Sequence, residues 1–482
     1  MSDLFASMRG IPKIMIPVAP KDFNSAEDGG VGIVLAHFSD IMSSHNKNKL
    51  KIADLWSFYL GIQDILNKVR DERFSNNQIA ENHAYEFVEI KTALFDANNK
   101  QFSKKNIDSS DDITFLNRYL TDCGYYAKNI EADRFACAVG VGVTFTVPDV
   151  DMILSENYNA ETESPFVFDW LNPCNNFVVY SSMLGKDPLF CVNKETIRNS
   201  KNQDEDIYTV WTKRISFQLD ASFSLIEGSV TGIAPLGYLP MIERSLNAAR
   251  LGIIELIRDE FNFFNTLISS SADSVVDNAN ALLVFQGVDL TAVQVKEMLR
   301  AGAVLIPPSG TGQDGKVYKV DLAFKIADVA DFLDRAVVRA YAIAGIPVPS
   351  SNTTSGGDTG QSSEIRSGWE TASLRTKLET NNLIACDYQQ LKLFLAIAKL
   401  VPNNKLDQLS ASEIDIKYVI KYNDNPLVRA QAFDYYMKYM PPEMALDKSG
   451  SSMDSHSDGA AIEAWLAKQA LKDSGKPVSQ GG

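Results

Sequence analysis

An α+β fold, mostly helical, is predicted by three features of this 482-residue chain. Apolar residues recur at three- and four-residue spacing over 242–280, 325–345 and 364–401, the mark of long helices. Between about 141 and 240 the pattern changes to short β-type runs punctuated by Pro, Gly and Asn. Between the first two long helices lies a compact strand–helix–strand–strand stretch, 281–324. The chain exceeds what one simple core holds, so two or more subdomains are expected.

Taken in order, residues 1–45 mix Gly, Pro and Asn with short apolar patches and read as an arm. LKIADLWSFYLGIQDILNKVR (50–70), NNQIAENHAYEFVEIKTALF (76–95) and the whole of 111–140 carry helical spacing. VGVTFTVP, NNFVVYSS, PLFCVN, IYTVWTK and RISFQL read as strands. After Pro240, the 242–280 helix carries Ile253, Leu256, Ile257, Phe261, Phe264, Leu267 and Ile268 on a stripe broad enough for more than one neighbour. ALLVFQGV, LTAVQVKEMLRAG, AVLIPP and KVYKVDLA make the small inserted unit. The 325–345 helix aligns Ile326, Val329, Ala330, Leu333, Val337, Ala340, Tyr341 and Ala344 on one face. The 364–401 helix could run roughly 55 Å unbroken, with Gly368 and Thr380–Asn382 as bend points. A strand at 414–422, a helix from Pro426, a Ser/Gly/Asp-rich linker at 448–459 and a short helix at 460–473 complete the chain.

Composition narrows the function. A net charge of −15 argues against a protein that grips DNA by neutralising phosphates. No apolar run reaches the length of a membrane span, and the N-terminus lacks the basic-then-apolar order of a signal peptide. The five cysteines are scattered without CxxC, which suits reduced thiols in a cytoplasm. GKDP (185–188) and SGTGQDGK (309–316) lack the GxxxxGK[ST] spacing of a phosphate loop, and no GxSxG occurs. His37, His45, His83 and His456 have no second ligand at metal spacing, so neither a metal nor another cofactor is expected. The carboxylate groups Asp108, Asp111, Asp112 and Asp328, Asp331, Asp334 read as solvated faces, or for the second set a channel lining or a subunit contact.

The most informative stretch is GIPVPSSNTTSGGDTGQSSEIRSGWETASLRTKL, 345–378. Sixteen residues of Pro, Ser, Thr, Asn, Gly and their like, Pro347 to Ser362, separate two helical patterns. Loops of this length within a helical region are commonly functional or disordered. The order G-I-P, Ser/Gly-rich loop with GDTGQ, then R-x-G-W resembles the tunnel-loop region of the portal, or head–tail connector, proteins of tailed bacteriophages, siphophage type. FYLGIQDILNKV with 76–95 resembles the wing signature of that family. ERSLNAARLGIIELI, with Asn247, Gly252 and Glu255, resembles the start of its stem helix, and ALLVFQGVDL and AGAVLIPP its clip strands. DNPLVRAQAFDYYM, with Arg429, Ala430 and Gln431, resembles the segment after its last wing strand.

The resemblance implies an N-terminal arm (1–45), a wing (46–240), a stem helix (241–280), a clip (281–324), a second stem helix (325–346), a tunnel loop (347–363), a long wing helix (364–401), a wing strand and helix (402–447) and a short crown or tail (448–482). It implies a non-enzymatic dodecameric ring at one capsid vertex of the virion, assembled in the host cytoplasm, through which double-stranded DNA is packaged and ejected. The implied partners are the terminase large subunit, a head-completion or adaptor protein, the major capsid protein and, as a further candidate, a scaffolding protein. Ser350, Ser351, Asn352, Thr353, Thr354, Ser355, Gly356, Gly357, Asp358 and Gln361 would face the DNA channel. Arg375 and Lys377 are candidate lumen charges, with solvated or intersubunit positions as the alternative. Lys296, Arg300, Gln313 and Lys316 would form the clip surface for terminase or adaptor. Another virion structural protein, capsid or adaptor, and an enzyme with an unrecognised site are the rival readings.

Overall fold

The computed structural model describes residues 9–71, 75–95, 100–104, 111–155, 158–198, 202–233, 236–279, 283–286, 291, 294, 303–306, 316–319, 326–348, 369–401, 404, 406–407, 409–418, 426–449, 459 and 462–467. The fold is α+β, with about half of the described residues helical. Two compact units are formed, one by Met1–Trp56, Val88–Glu255 and Gly345–Gly482, the other by Ser57–Phe87 and Leu256–Ala344.

The first unit is built on a six-stranded sheet. Ile14–Ile16 pairs parallel with Asn176–Ser181. Pro188–Arg198, Asp204–Trp211, Ile215–Leu219 and Thr231–Gly232 then follow in antiparallel order. The helix Val31–Tyr59 lays Val31, Val34, Phe38, Ile41 and Met42 against Phe177, Val179, Phe190, Val192, Val210 and Phe217 of this sheet. Those helix positions are three or four residues apart, and the strand positions alternate, so both periodicities converge on one core. Residues 14–45 are therefore part of this core rather than an arm, with Ile14, Ile16 and Phe23 buried beside them.

A second layer joins the antiparallel strands Met241–Arg244, Gly142–Pro148 and Phe166–Leu171 to the helices Tyr125–Val139 and Trp369–Ala398. The region 111–140 is two helices, Asp111–Asp122 and Tyr125–Val139, parted at Gly124, whose φ of 69° ends helical continuity. MIER, read from sequence as the start of a long helix, is instead the edge strand beside Gly142–Pro148, and the helix begins at Ile253. Gly252 precedes it because an added Cβ there would lie 2.2 Å from the Ala138 carbonyl oxygen. The helix Trp369–Ala398 does not break at Thr380–Asn382. It is continuous, and the hydroxyls of Thr376 and Thr380 donate to the carbonyls of Ala372 and Thr376, four residues back.

Charges are buried at the centre of this unit. Arg244, 1% exposed, is held by Asp133 (Nε–Oδ1 2.6 Å) and Asp387 (Nη1–Oδ1 2.6 Å). Lys100, fully buried in the strand Lys100–Lys104, donates to Asp387 at 2.9 Å and to the Tyr125 hydroxyl at 2.8 Å. Tyr418, in the antiparallel partner strand Ile414–Tyr418, donates to the other Asp387 oxygen at 2.5 Å. Two cations thus meet two carboxylates. Burial pushes Asp387 up, but Arg244 and Lys100 beside it outweigh that and hold it below the usual carboxylate range.

In the second unit the helix Ile253–Ala279 buries Ile257, Phe261 and Phe264. Phe87 packs on Phe261 (ring centroids 5.2 Å) and on Tyr341 (4.3 Å), while the Tyr341 hydroxyl donates to Glu86 at 2.7 Å. A helix is expected across 76–95, yet it starts only at His83. The reason is a row of polar side chains on the long helix. Asn265, Ser269 and Asp273 accept from the backbone N–H groups of Glu81 (3.0 Å), Ile79 (3.0 Å) and Asn77 (2.6 Å). Four helical residues advance about 6 Å and two extended residues about 6.6 Å, so the two spacings mesh. With those N–H groups taken, alternate residues of 77–81 lack the donor that a continuous helix would use. The small sheet is also present, with Leu283–Gln286 between Ala303–Ile306 (parallel) and Lys316–Lys319 (antiparallel). The helix expected at 290–302 lies outside the described residues except Thr291 and Gln294, where the Gln294 side chain accepts from the Thr291 N–H at 3.0 Å and hydroxyl at 2.8 Å.

Two outcomes are expected from this arrangement. Arg244→Met leaves Asp133 and Asp387 facing each other with one cation, and urea denaturation should show a loss of about 3–5 kcal/mol; a loss below about 1 kcal/mol, the range of an exposed pair, would mean the network is structurally idle. Asp273 is pushed up by burial and pulled down further by hydrogen bonds from Lys68 and Asn77, to about 2 from 3.8. Its folded value is depressed, so its stabilisation is complete above the unfolded value near 3.8 and disappears as pH falls toward 2. Asp273→Asn should flatten stability against pH across that window; an unchanged acid limb would assign it to other carboxylates.

Candidate functional site

The loop residues Ser350, Ser351, Asn352, Thr353, Thr354, Ser355, Gly356, Gly357, Asp358 and Gln361 lie outside the described residues, as do Lys296, Arg300 and Gln313. Lys316 is placed at the start of the strand Lys316–Lys319, paired with Gln286. The start of the loop is defined. The helix Ile326–Ala344 stops at Gly345, whose φ of 67° closes it in the left-handed conformation. Ile346, 3% exposed, and Pro347 are buried, so the chain enters the loop from a fixed point. The described chain resumes in the helix Trp369–Ala398.

Around Gly345 a small charged cluster forms. Lys91, fully buried in the helix His83–Leu94, pairs with Glu379 at 2.6 Å and reaches the Gly345 carbonyl oxygen at 3.5 Å. Arg375 Nε lies 3.4 Å from the other Glu379 oxygen, one helical turn away. The Arg375 side chain also fills the space beside Gly345, where an added Cβ would come within 2.4 Å of its Cδ. Of the two candidate lumen charges, Arg375 is thus half-buried against the loop's root, and Lys377 is exposed. Neither Lys91 nor Glu379 stood out in the sequence. The residues are 288 apart in number, and only a Lys on an otherwise inward helix position, between Val88 and Phe95, hints at a buried partner.

The residues that carried the resemblance near 247–255 have local work to do. Asn247 brackets Leu251, accepting from its N–H and donating to its carbonyl, both at 2.9 Å. Glu255 accepts from the Gly10 N–H at 2.8 Å and pairs with Lys51 at 2.7 Å. GKDP is the tight turn between Asn176–Ser181 and Pro188–Arg198, with Gly185 and Lys186 both at positive φ. It is a hairpin turn rather than a phosphate cradle. SGTGQDGK, apart from its final Lys316, lies outside the described residues.

Among the described residues no group of three or more His, Cys, Asp and Glu side chains is placed to hold a metal ion. The cysteines are unpaired with one another, and burial pushes the thiols of Cys137 and Cys191 well up and Cys123 up to about 11. Burial likewise lowers His45 to about 4, leaving an uncharged ring whose Nε2–H donates to the Cys174 carbonyl at 2.9 Å. In the second carboxylate set, Asp331 pairs with Arg335 on an exposed turn at 2.8 Å. Among the described residues no helix is long and apolar enough to cross a membrane.

Comparison with known proteins identifies a family. The profile of the family described as phage portal protein, SPP1 Gp6-like, matches residues 39–470. No curated protein matches the chain. The match takes in both long helices flanking the loop, the small sheet and the buried charge network, and the chain belongs to the phage portal protein family.

Proposed function

We propose that the chain assembles as a dodecameric ring at one capsid vertex, with DNA passing through the centre during packaging and ejection. The ring is held by heterologous contacts, one face of a subunit against a different face of the next. The observation that carries this reading, beside family membership, is the helix Ile326–Ala344. Among the described side chains its apolar stripe is buried at its C-terminal end, at Ala340, Tyr341 and Ala344. Leu333 and Val337 are half-buried, and Phe332 and Val338 remain 50% and 49% exposed. Phe263, 52% exposed, packs edge-on against Phe332 and extends the apolar surface. A single chain leaves this surface in water, and a neighbouring copy covers it.

Within the ring, 281–324 is the clip on which the terminase large subunit docks and is then replaced by a head-completion or adaptor protein, with Lys296, Arg300, Gln313 and Lys316 on the docking surface. The outer body meets the major capsid protein and a scaffolding protein. The 347–362 loop faces the DNA. Its side chains are short, polar and, apart from Asp358, uncharged, so they pass phosphates without salt bridges that must break at each step. The net charge of −15 per chain keeps the assembly from binding DNA tightly. No chemistry is assigned to the protein; hydrolysis belongs to the motor.

Native mass measurement at micromolar concentration should give a closed ring, and Phe332→Glu combined with Val338→Glu should return it to monomers with unchanged circular dichroism. A monomer in the parent protein over several salt concentrations overturns the ring. Deleting Asn352–Gly357 should leave rings intact but reduce the DNA retained in particles, and reversing Lys296 and Arg300 to Glu should block packaging at terminase docking. Normal genome retention with the deletion would leave the loop as a passive connection, and normal packaging with the reversals would move the docking surface elsewhere.

A further inference from the structure

The root of the 347–362 loop is held by a charge that has no other reason to be buried. Lys91 is fully enclosed, a costly place for an ammonium group unless its protons are satisfied. Its partners are the Glu379 carboxylate at 2.6 Å, the Gly345 carbonyl at 3.5 Å and the face of Phe95, 5.6 Å from the ring centre. One of those three is the backbone oxygen of the residue that terminates the helix Ile326–Ala344. Displacing Gly345 would remove an acceptor from a buried cation that cannot turn to water. Arg375 closes the other side. Its side chain occupies the space a Cβ on Gly345 would need, and its guanidinium approaches the same Glu379 at 3.4 Å. Glu379 therefore holds two cations, one beneath the loop's root and one beside it. Ile346 and Pro347, directly after Gly345, are buried.

We propose that Lys91, held by Glu379, is the positioning residue for the root of this loop: it pins Gly345–Pro347 and so fixes the point and direction in which the chain leaves the helix Ile326–Ala344. The inference rests on the reading of 347–362 as the channel loop, but the pin itself is a property of the chain alone. It also gives Arg375 a place in the clamp, as the side chain that seals Gly345.

The test uses the full-length assembled protein with Ile δ1-methyl groups labelled, comparing the parent with Lys91→Met and the milder Glu379→Gln. Ile346 reports on the pivot and Ile254, fully buried elsewhere in the same unit, on general integrity. Loss of the pin should raise the population of a displaced Ile346 state roughly tenfold, the equivalent of one buried hydrogen bond, measured by methyl relaxation dispersion. Ile254 should not change. DNA retained in particles is measured in parallel. A mobile Ile346 with reduced retention supports both the pin and the channel loop. A mobile Ile346 with normal retention supports the pin and removes the channel role from the loop. An unchanged Ile346 in Glu379→Gln, or equal disturbance of Ile346 and Ile254 in both variants, overturns the pin.

Discussion

The larger unit depends on a neutral quartet in its interior. Asp133 comes from the helix Tyr125–Val139, Arg244 from the edge strand Met241–Arg244, Asp387 from the helix Trp369–Ala398 and Lys100 from the strand Lys100–Lys104. Each of four elements, distant in sequence, supplies one charge, and Tyr125 and Tyr418 add hydroxyls to the same group. A buried ion pair is often a poor source of stability compared with a well-packed apolar core. Its value here is selectivity. An arrangement that brought only three of the elements together would leave an unpaired charge in the dry interior, so near-native packings are penalised far more than by a missing methyl group. The apolar clusters around it, with Phe166, Phe168, Phe394 and Tyr125 in mutual contact, supply the bulk attraction.

How much of this was readable from sequence follows from the range of the forces involved. The helices Ile326–Ala344 and Trp369–Ala398 and the strands Gly142–Pro148, Asn176–Ser181, Pro188–Arg198, Asp204–Trp211 and Ile215–Leu219 were legible because their patterns are set by neighbours three, four or two residues away, whereas Phe166–Leu171 was not read as a strand. Residues 76–82 were misread for the opposite reason. Their spacing is helical, but Asn265, Ser269 and Asp273, nearly two hundred residues further on, take the N–H groups a helix would use. Polar residues at every fourth position, continuing the line of Ile257 and Phe261 along the helix, were the available signal. The strand Met241–Arg244 was hidden by its continuity with a helical stretch, and only the close backbone approach at Gly252 marks the change.

The site divides along the same line. The loop was conspicuous because a glycine-rich run with one charge, Asp358, between two helical patterns stands out in composition, and composition is local. What anchors it was not. Lys91, Gly345 and Glu379 are brought together by the tertiary fold, and a lysine inside a helix with surrounding acidic residues ordinarily reads as solvated. Likewise the charges of the quartet are ordinary Asp, Lys and Arg in the sequence, indistinguishable from those that give the surface its net −15.

The meshing of Asn265, Ser269 and Asp273 with Asn77, Ile79 and Glu81 gives the second unit the mechanics of a toothed rack. Smooth packing would let a helix slide by fractions of an ångström at little cost. Here any axial shift short of a whole tooth, about 6 Å, breaks every rung at once. The long helix and the segment beside it are therefore held in one register, and a partial axial displacement costs the three hydrogen bonds together rather than one at a time.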